Sequence, residues 1–311
     1  MGNKHMSSCT QPQAAEKEFE SKYYTREVLG RGSSATVRRA IRKVDGKAFA
    51  VKIIRKSRLT PKDLRFVYEE IKMMSRIDHP SVVKLEEFFE THARFFLVME
   101  MLSGGELFDQ IIERKRFEET EASRITKTLA VALQYLHKIG IVHRDLKPEN
   151  LIYASDSPGA HLKITDFGLA KLREPGALPG AGAAHSERET MRTSCGTPSY
   201  AAPEVIRGHP YNQAVDVWSL GVVLYILLCG YPPFHGGSTQ ELYQAVLAGQ
   251  VKFHPKHWKG VSGEARDLVS RMLTVDPAKR ITIPQLLEHP WIRPGSTSGS
   301  RSSSSSSSSS S

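Results

Sequence analysis

The spacing of apolar residues changes at Ser103-Gly104-Gly105, and the change divides the chain into two unlike parts. Before it, short apolar stretches typical of β-strands lie at residues 28–29, 37–41, 48–54, 82–87 and 95–99. A single helical pattern, at residues 61–76, interrupts these stretches. After the change, helices are predicted at residues 107–113, 119–139, 213–228, 239–248 and 262–274. The sequence therefore predicts an α+β fold with a small β-rich lobe, a larger α-helical lobe and a ligand cleft between them.

The two ends of the chain differ from the part between them. Residues 1–22 are polar and show no clear periodicity, and residues 293–311 are rich in Gly and Ser and end in a serine tract. Such segments bury too little apolar surface to offset their ordering entropy, so both are expected to be disordered. Gly2 and Cys9 suggest N-terminal lipidation, although Met6 occupies the Ser/Thr position of the myristoylation pattern.

Composition limits the class of protein to which the chain can belong and the cellular compartment that suits it. Three scattered cysteines are too few for a disulfide framework, and the apolar run at residues 222–229 is too short to span a membrane. An intracellular, cytoplasmic protein is expected, with membrane contact only through N-terminal lipidation. The formal charge of +10 is spread along the chain, which favours acidic ligands but not a nucleic-acid partner.

Gly30-Arg31-Gly32 lies between two predicted strands. Glycines let backbone N–H groups approach anionic oxygens closely, so this turn is a candidate phosphate-binding loop. A tight turn without a ligand is the alternative, and Ala35 stands where the fuller pattern has a third glycine. Because no helix follows directly, neither a Rossmann motif nor a Walker loop is indicated.

Lys52 interrupts the otherwise apolar strand Ala48-Phe49-Ala50-Val51-Lys52. A strand lysine is usually exposed at a sheet edge, so a functional role depends on an acidic partner. Glu70, on the helix predicted at residues 61–76, is that candidate, with Glu69 as the alternative. An ion pair between strand and helix would hold the ammonium group beside phosphates.

The segment His143-Arg144-Asp145-Leu146-Lys147-Pro148-Glu149-Asn150 concentrates residue types that suit catalysis. Pro148 argues against a helix, so a loop is predicted. Asp145 could accept a hydroxyl proton, Lys147 could neutralise charge on a phosphoryl group, and Asn150 could hold a metal through its amide oxygen. A polar surface turn is the alternative.

Asp166-Phe167-Gly168 follows another apolar strand, Lys163-Ile164-Thr165. A carboxylate here suits Mg²⁺, which prefers hard oxygen ligands shared with substrate phosphates. The triplet alone is often a simple turn, but its place after Asn150, with Lys52 and Glu70 upstream, makes coincidence a poor explanation.

In these motifs the sequence resembles the eukaryotic protein kinase family over nearly its whole length. The resemblance implies ATP and Mg²⁺, a kinase domain at residues 23–292, an N-lobe at 23–99, a hinge at 100–102 and a C-lobe at 103–292. It also adds Ala202-Pro203-Glu204, the segment containing Asp216 and Trp218, and Arg280 as the partner of Glu204. Adenine would lie against backbone groups of the hinge beside the gatekeeper Met99. The implied nucleotide and cleft residues are Leu29, Gly30, Gly32, Val37, Ala50, Lys52, Met99, Glu100, Leu102, Glu106, Glu149, Asn150, Ile152 and Asp166.

Several segments are most similar to the calcium/calmodulin-dependent kinase group, among them GGELFDQII, HRDLKPENLI, TSCGTPSYAAPE, GYPPF and VDPAKRIT. Lys147 and Thr197 favour Ser/Thr protein substrates. Glu106 and Glu149 match acidic positions that select basic residues upstream of the phosphoacceptor, with solvated surface acids as the alternative. A pseudokinase scaffold is the alternative function, although it would have no need of every catalytic residue.

Arg144, directly before Asp145, is typical of kinases that are activated by a phosphate on the activation segment. The resemblance assigns that phosphate to Thr193, with Ser194 and Thr190 as weaker candidates, and an upstream activating kinase as a partner. Thr197 is expected to contact the catalytic loop. No basic amphipathic helix follows Trp291 and no calcium-binding loop is found, so direct calcium or calmodulin binding is not expected.

Overall fold

The computed structural model describes residues 12–32, 35–168, 170–172 and 198–293. The N-lobe is built on a five-stranded antiparallel sheet of order β1-β2-β3-β5-β4. Its strands are β1 (Tyr23–Arg31), β2 (Ala35–Arg42), β3 (Ala48–Arg55), β4 (Leu85–Glu90) and β5 (Arg94–Glu100). The structure confirms the predicted α+β class and its division into a sheet lobe and a helical lobe.

Both faces of this sheet are covered. Along β3, Phe49 and Val51 point to one face and join an aromatic cluster, whereas Ile54 points to the other and joins the main core. The residues of β5 from Phe95 to Val98 are all buried, because alternate side chains enter these two cores. A nearly continuous apolar run is the pattern expected of a strand that is covered on both sides.

One cover is an N-terminal helix that the sequence analysis did not predict. Residues 12–22 were expected to be disordered, but they form α1 (Pro12–Lys22). Phe19 is buried and lies against the rings of Phe89 and Phe96, with ring centroids 5.5 and 4.4 Å away. Few apolar residues occur in the segment, so its periodicity is weak, and the exposed aromatic face of the sheet supplies the driving force instead. Residues 1–11 and 294–311 lie outside the described residues.

The other face of the sheet is covered by α2 (Pro61–Met74). Thr60 caps its first turn: the hydroxyl accepts from the N–H of Asp63, and the Asp63 carboxylate accepts from the N–H of Thr60. Pro61 fits the first helical position, where no intrahelical donor is needed. The helix buries Val67, Ile71 and Met74 in the main core, which fixes the side from which Glu70 enters the cleft.

The C-lobe is helical. Its helices are α3 (Leu107–Arg114), α4 (Glu119–Lys138), α5 (Pro203–Ile206), α6 (Ala214–Cys229), α7 (Thr239–Ala248), α8 (Pro255–Trp258), α9 (Gly263–Met272) and α10 (Ile283–Leu287). Every residue of α6 from Val215 to Cys229 is buried, because α4, α8 and α9 pack around it. A helix that is apolar on all sides is expected at the centre of a lobe.

Four short strands lie beneath the cleft: β6 (Ile141–Val142), β7 (Leu151–Tyr153), β8 (Leu162–Ile164) and β9 (Lys171–Leu172). They pair antiparallel as β6 with β9 and β7 with β8, which brings the segments after β6 and β8 together.

Two local predictions were wrong. A strand was predicted at residues 82–87, but β4 begins at Leu85, because Val82 and Val83 pair instead with Ile164 of β8. A loop without helix was predicted around Pro148, yet Pro148–Asn150 forms a short 3₁₀ turn. Proline is compatible with its first position, where the missing N–H is not required.

No helix in the described parts of the chain is both long and apolar enough to cross a bilayer. Cys229 is buried at the end of α6, and burial raises the pKa of its thiol to about 12. The proposed lipidation positions Gly2 and Cys9 lie outside the described residues.

Candidate active site

The predicted ion pair between β3 and α2 is present. The ammonium group of Lys52 lies 2.7 Å from Oε1 of Glu70, whose side chain is buried, whereas the alternative partner Glu69 is exposed. Burial alone would lower the pKa of Lys52, but the charges of Glu70 and Asp166 outweigh it and raise that pKa above its usual value. Lys52 is therefore a fixed cation on the cleft side of the sheet.

Gly30 and Arg31 are the last two residues of β1, and Gly32 follows them directly. Gly30 pairs with Val37 across β1 and β2, and the N–H of Gly32 donates to the carbonyl of Ala35 at 2.9 Å. A Cβ atom at Gly30 would meet no protein atom within 4 Å. Protein packing therefore leaves open space beside this glycine, as a loop that approaches a ligand requires.

Val37, Ala50 and Lys52 belong to neighbouring positions of one patch of the sheet. Val37 pairs with Lys52 between β2 and β3, and Ala50 pairs with Met99 between β3 and β5. Alternation along β3 places Ala50 on the same face as Lys52. The apolar residues predicted to contact a base thus lie next to the cation predicted to contact phosphates.

The segment after β6 is held by a carboxylate from α6. Asp216 is fully buried, and its two oxygens accept the N–H groups of His143 at 3.0 Å and Arg144 at 2.8 Å. The Nε2 atom of His137 lies 2.7 Å from the same carboxylate. Arg144 has a φ of +70°, a conformation that is unfavourable for a side chain with a Cβ atom. These three contacts hold the backbone in that conformation.

Asp145, Lys147 and Asn150 form one hydrogen-bonded group. The ammonium group of Lys147 lies 3.0 Å from Oδ2 of Asp145. The amide nitrogen of Asn150 donates to the backbone carbonyl of Asp145 at 2.8 Å and to its Oδ2 at 3.1 Å. Because the amide nitrogen is used in this way, the amide oxygen of Asn150 remains as an acceptor for another ligand.

Asp166 is brought to this group by β8. The N–H of Thr165 donates to the carbonyl of Asn150 at 2.8 Å, and the ring of Phe167 packs edge-on against His143 with centroids 5.1 Å apart. Burial alone would raise the pKa of Asp166, but Lys52 outweighs it, and the N–H of Gly168 helps to lower that pKa. Asp166 is therefore an ionised carboxylate close to a cation.

Two further acidic side chains, Glu106 and Glu149, lie close enough for their charges to interact. Glu106 forms an isolated bridge with Ile152 of β7, which places it near Glu149. Burial, and then the charges of Asp109 and Glu149, raise the pKa of Glu106. Among the described residues, Oε2 of Glu149 is buried without a hydrogen-bond partner. Two carboxylates in this arrangement favour a positively charged ligand.

The arrangement corresponds to a known family. Residues 23–292 match the family described as "Protein kinase domain". The chain belongs to the protein kinase family.

Its relatives define the group within the family. Myosin light chain kinase A of Dictyostelium discoideum is 38% identical over 283 residues, which cover 91% of this chain and 92% of that protein. Calcium/calmodulin-dependent protein kinase type 1 of Macrobrachium nipponense is 41% identical over 280 residues, covering 90% of this chain and 77% of that protein. The human type IV enzyme is 43% identical over 265 residues, covering 85% of this chain and 53% of that protein. The chain is thus a Ser/Thr protein kinase of the calcium/calmodulin-dependent kinase group.

Glu100, at the end of β5, makes a contact that the sequence analysis missed. Oε1 of Glu100 lies 2.8 Å from Nζ of Lys163 in β8 and accepts the N–H of Lys84 at 2.8 Å. Lys163 is a nearly buried cation on a short apolar strand, the same signal that identified Lys52. Within the described residues, the N–H and C=O of Leu102 make no backbone hydrogen bond.

The predicted pair of Arg280 and Glu204 is present. The guanidinium of Arg280 donates to both carboxylate oxygens of Glu204, at 2.7 and 2.9 Å, and both side chains are buried. Arg280 also lies over the ring of Trp218. Arg144 donates to the hydroxyl of Tyr211 at 2.6 Å, a contact that the sequence analysis did not anticipate. The phosphorylation candidates Thr190, Thr193 and Ser194, and also Thr197, lie outside the described residues.

Proposed function

We propose that this kinase transfers the γ-phosphoryl group of ATP to protein Ser/Thr hydroxyls with Asp145 as the group that receives the hydroxyl proton. The observation that carries the proposal is the hydrogen-bonded group of Asp145, Lys147 and Asn150, which lies beside Asp166 in one cleft. Asp145 is partly exposed, so a substrate hydroxyl can reach it. The neighbouring Lys147 can compensate negative charge as phosphoryl transfer proceeds.

Lys52 has the proposed role of holding ATP phosphates. Its charge is stabilised by Glu70 on one side and by Asp166 on the other. The adenine base would lie against Val37, Ala50, Met99 and Ile152, with Leu29 at the entrance and Gly30 and Gly32 over the phosphates. Phosphoryl transfer then depends mainly on how accurately these groups position the two reactants.

Asp166 and Asn150 fit the requirements of Mg²⁺. Asp166 supplies an ionised carboxylate, and the amide of Asn150 is oriented so that its oxygen is available. The described residues contain no cluster of three or more His, Cys, Asp or Glu that could form an all-protein metal cage. This suits Mg²⁺, which usually shares few carboxylates with substrate phosphates. Bound there, the ion would neutralise charge on the phosphates.

The central test is phosphorylation of a peptide array with Mg·ATP by wild-type protein, Lys52→Met and Asp145→Asn. Wild type is expected to label Ser and Thr peptides, and each variant should lose at least about 100-fold in kcat with an unchanged fold. Thermal denaturation and circular dichroism provide the control for folding. Variants as active as wild type would overturn these assignments, and a wild-type protein that binds ATP without turnover would favour the pseudokinase alternative.

A preference for basic residues upstream of the phosphoacceptor is also proposed. Its support is the closely placed pair Glu106 and Glu149, and the buried, unpartnered Oε2 atom of Glu149. An arginine of the substrate would pair with this carboxylate and remove the cost of its burial. Replacing the upstream Arg of the best array peptide by Ala should lower kcat/KM about tenfold or more for wild type. Glu149→Gln should reduce this ratio to about twofold. An unchanged ratio would contradict the assignment.

Control by phosphorylation of Thr193, through an upstream activating kinase, is proposed with Arg144 as the phosphate-binding residue. The support is the position of Arg144, whose backbone is locked by Asp216 next to Asp145. A phosphate paired with this guanidinium would add charge-assisted hydrogen bonds that link the activation segment to the catalytic loop. Phosphatase-treated protein, protein phosphorylated at Thr193 and Thr193→Ala should differ in rate, with only the phosphorylated form fully active. Equal rates in all three would refute this control.

The proposed protein partners are therefore Ser/Thr substrates and one activating kinase. An intracellular, cytoplasmic site of action stays a prediction, supported by the small number of cysteines and by the use of ATP. Two of the relatives are named as calcium/calmodulin-dependent. The sequence analysis expected no direct calcium or calmodulin binding by this chain, and that expectation likewise remains to be tested.

A further inference from the structure

A hydrogen-bonded junction lies on the side of α2 away from the Lys52–Glu70 pair. Its centre is the carboxylate of Glu90 at the end of β4, whose Oε1 accepts from the hydroxyl of Tyr68 at 2.5 Å. The same oxygen lies 2.6 Å from Nζ of Lys56, just after β3. One carboxylate atom therefore links α2 to two strands of the sheet.

The junction is assembled on the ring of Phe95. Phe95 pairs with Glu90 on one side and with Ile54 on the other, so it lies between β3 and β4. The ring of Tyr68 meets it edge-on, with centroids 5.4 Å apart, and Nζ of Lys56 lies 4.5 Å from its centroid. Phe95 is fully buried beneath these contacts. The ring contact fixes where the hydroxyl of Tyr68 can point.

The hydroxyl of Tyr68 remains protonated and therefore acts as a hydrogen-bond donor in this junction. The hydrogen bond to Glu90 and burial raise the pKa of Tyr68 to about 12, so the group keeps its proton at neutral pH. Tyr68 is 43% exposed, so water could hydrate its hydroxyl if the hydrogen bond to Glu90 contributed no stability. Its aromatic packing and its hydrogen bond are separable, because Tyr68→Phe removes only the second.

Tyr68 and Glu70 are two residues apart on α2 and therefore lie on nearly opposite sides of the helix. Glu70 reaches into the cleft, whereas Tyr68 reaches over the outer end of the sheet. A rotation of α2 that withdrew Glu70 from Lys52 would also separate Tyr68 from Glu90. The helix is thus attached to the sheet by polar contacts on both sides.

We propose that Tyr68 is a positioning residue for phosphoryl transfer, which holds α2 through Glu90 and Lys56 in the orientation that pairs Glu70 with Lys52. The inference rests on the roles proposed above for Lys52 and Glu70. It adds that the hydroxyl of Tyr68, which touches neither ATP nor substrate, influences turnover through those residues.

The test compares Tyr68→Phe with Tyr24→Phe, using Mg·ATP and the best array peptide. Tyr24 is also an exposed N-lobe tyrosine, but it lies in β1 and no described residue accepts a hydrogen bond from its hydroxyl. Tyr68→Phe should lower kcat/KM about threefold to tenfold, as expected for one hydrogen bond to a charged group at a partly exposed site. Tyr24→Phe should stay within about twofold of wild type.

Combining Tyr68→Phe with Glu70→Gln distinguishes a positioning role of Tyr68 from a merely structural one. In a Glu70→Gln background, Tyr68→Phe should lower kcat/KM by less than about twofold, because the contact it supports is already weakened. Glu90→Gln should reproduce the effect of Tyr68→Phe, and the double variant should be no worse than either single variant. An equal factor for Tyr68→Phe in both backgrounds would show a structural effect alone and overturn the inference.

The variants distinguish a failure of this inference from a failure of the roles proposed for Lys52 and Glu70. If Lys52→Met is inactive and Tyr68→Phe retains full activity, the inference is wrong and the roles of Lys52 and Glu70 stand. If Lys52→Met and Glu70→Gln are as active as wild type, those roles are wrong and the inference is overturned with them.

Discussion

Replacing Asp216 by Asn should destabilise the kinase strongly and slow catalysis as well. Asp216 is fully buried in α6 and accepts from the N–H groups of His143 and Arg144, while Nε2 of His137 lies 2.7 Å away. Asn has almost the same shape, but it has one acceptor oxygen and an amide group that donates. At least one buried backbone N–H would therefore face another donor.

The magnitude follows from these contacts. A buried N–H left without a partner costs about 1–3 kcal/mol, and removing the charge from a buried pair brings the total to about 3–5 kcal/mol. For a domain of this size the loss corresponds to a decrease in Tm of roughly 6–20 °C. Arg144 should also leave its strained backbone conformation, which would displace Asp145 and lower kcat about tenfold or more.

The matched control is Asp267→Asn. Asp267 also pairs with a histidine, since its Oδ2 lies 3.0 Å from Nε2 of His289, but 47% of its side chain is exposed. This variant should lose less than about 1 kcal/mol, because exposed ion pairs contribute little. Urea denaturation gives the free energy of unfolding of each variant. If Asp216→Asn lost no more stability than Asp267→Asn, the anchoring role derived for Asp216 would be wrong.

The pH dependence provides a second readout. Burial alone would raise the pKa of Asp216, but the hydrogen bond and charge of His137, with His143 and the N–H of Arg144, lower it. A carboxyl with a depressed pKa in the folded state contributes stability that is present above the unfolded value of about 3.9 and is lost as pH falls through the folded value. Wild type should therefore lose stability more steeply than Asp216→Asn below about pH 4.

Three further predictions follow from other contacts. Asp166→Ala should abolish turnover at saturating Mg·ATP while the far-UV spectrum stays native, and retained kcat would exclude Asp166 as the metal ligand. Arg280→Lys, which cannot keep both bonds to Glu204, should cost about 2–4 kcal/mol in urea denaturation, and a loss below about 1 kcal/mol would contradict a structural role for that pair. Phe19→Ala should cost about 3–4 kcal/mol and expose α1 amides to hydrogen exchange, whereas unchanged exchange would show that the helix does not depend on its aromatic contacts.

The ion pair of Lys52 and Glu70 shows how far the sequence could predict the site. A cation on an apolar strand needs a compensating partner, and an acidic residue on the helix that covers the strand can provide one. The apolar pattern of the strand identified Lys52, and the helical pattern that follows it in the chain supplied Glu70. The sequence favoured Glu70 and left Glu69 as the alternative, because the outcome depends on the rotation of α2 about its axis, and that rotation is set by packing against the sheet.

The missed elements were missed for a different reason. In α1, Phe19 is the residue that enters the cluster on the sheet, so the helix depends on a surface that is far away in sequence. The uninterrupted apolar run of β5 from Phe95 to Val98 indicates a strand that is covered on both sides. This run was the signal in the sequence that could have predicted a second covering element such as α1. In the same way, Lys163 carried the pattern of a buried strand cation, but its partner Glu100 is separated from it by 63 positions.

The backbone conformations of Arg144 and Asp166 are not predicted by their residue types. Arg144 and Asp166 have φ values of +70° and +58°, although glycine is the residue expected at such angles. Each costs of order 1–3 kcal/mol, so both must be held by compensating contacts. Asp216 of α6 holds the first through a backbone N–H, and the N–H of Gly168 binds the carboxylate of Asp166. The motifs can thus be read locally, whereas the strained backbone at Arg144 is held by Asp216 from the buried centre of the C-lobe.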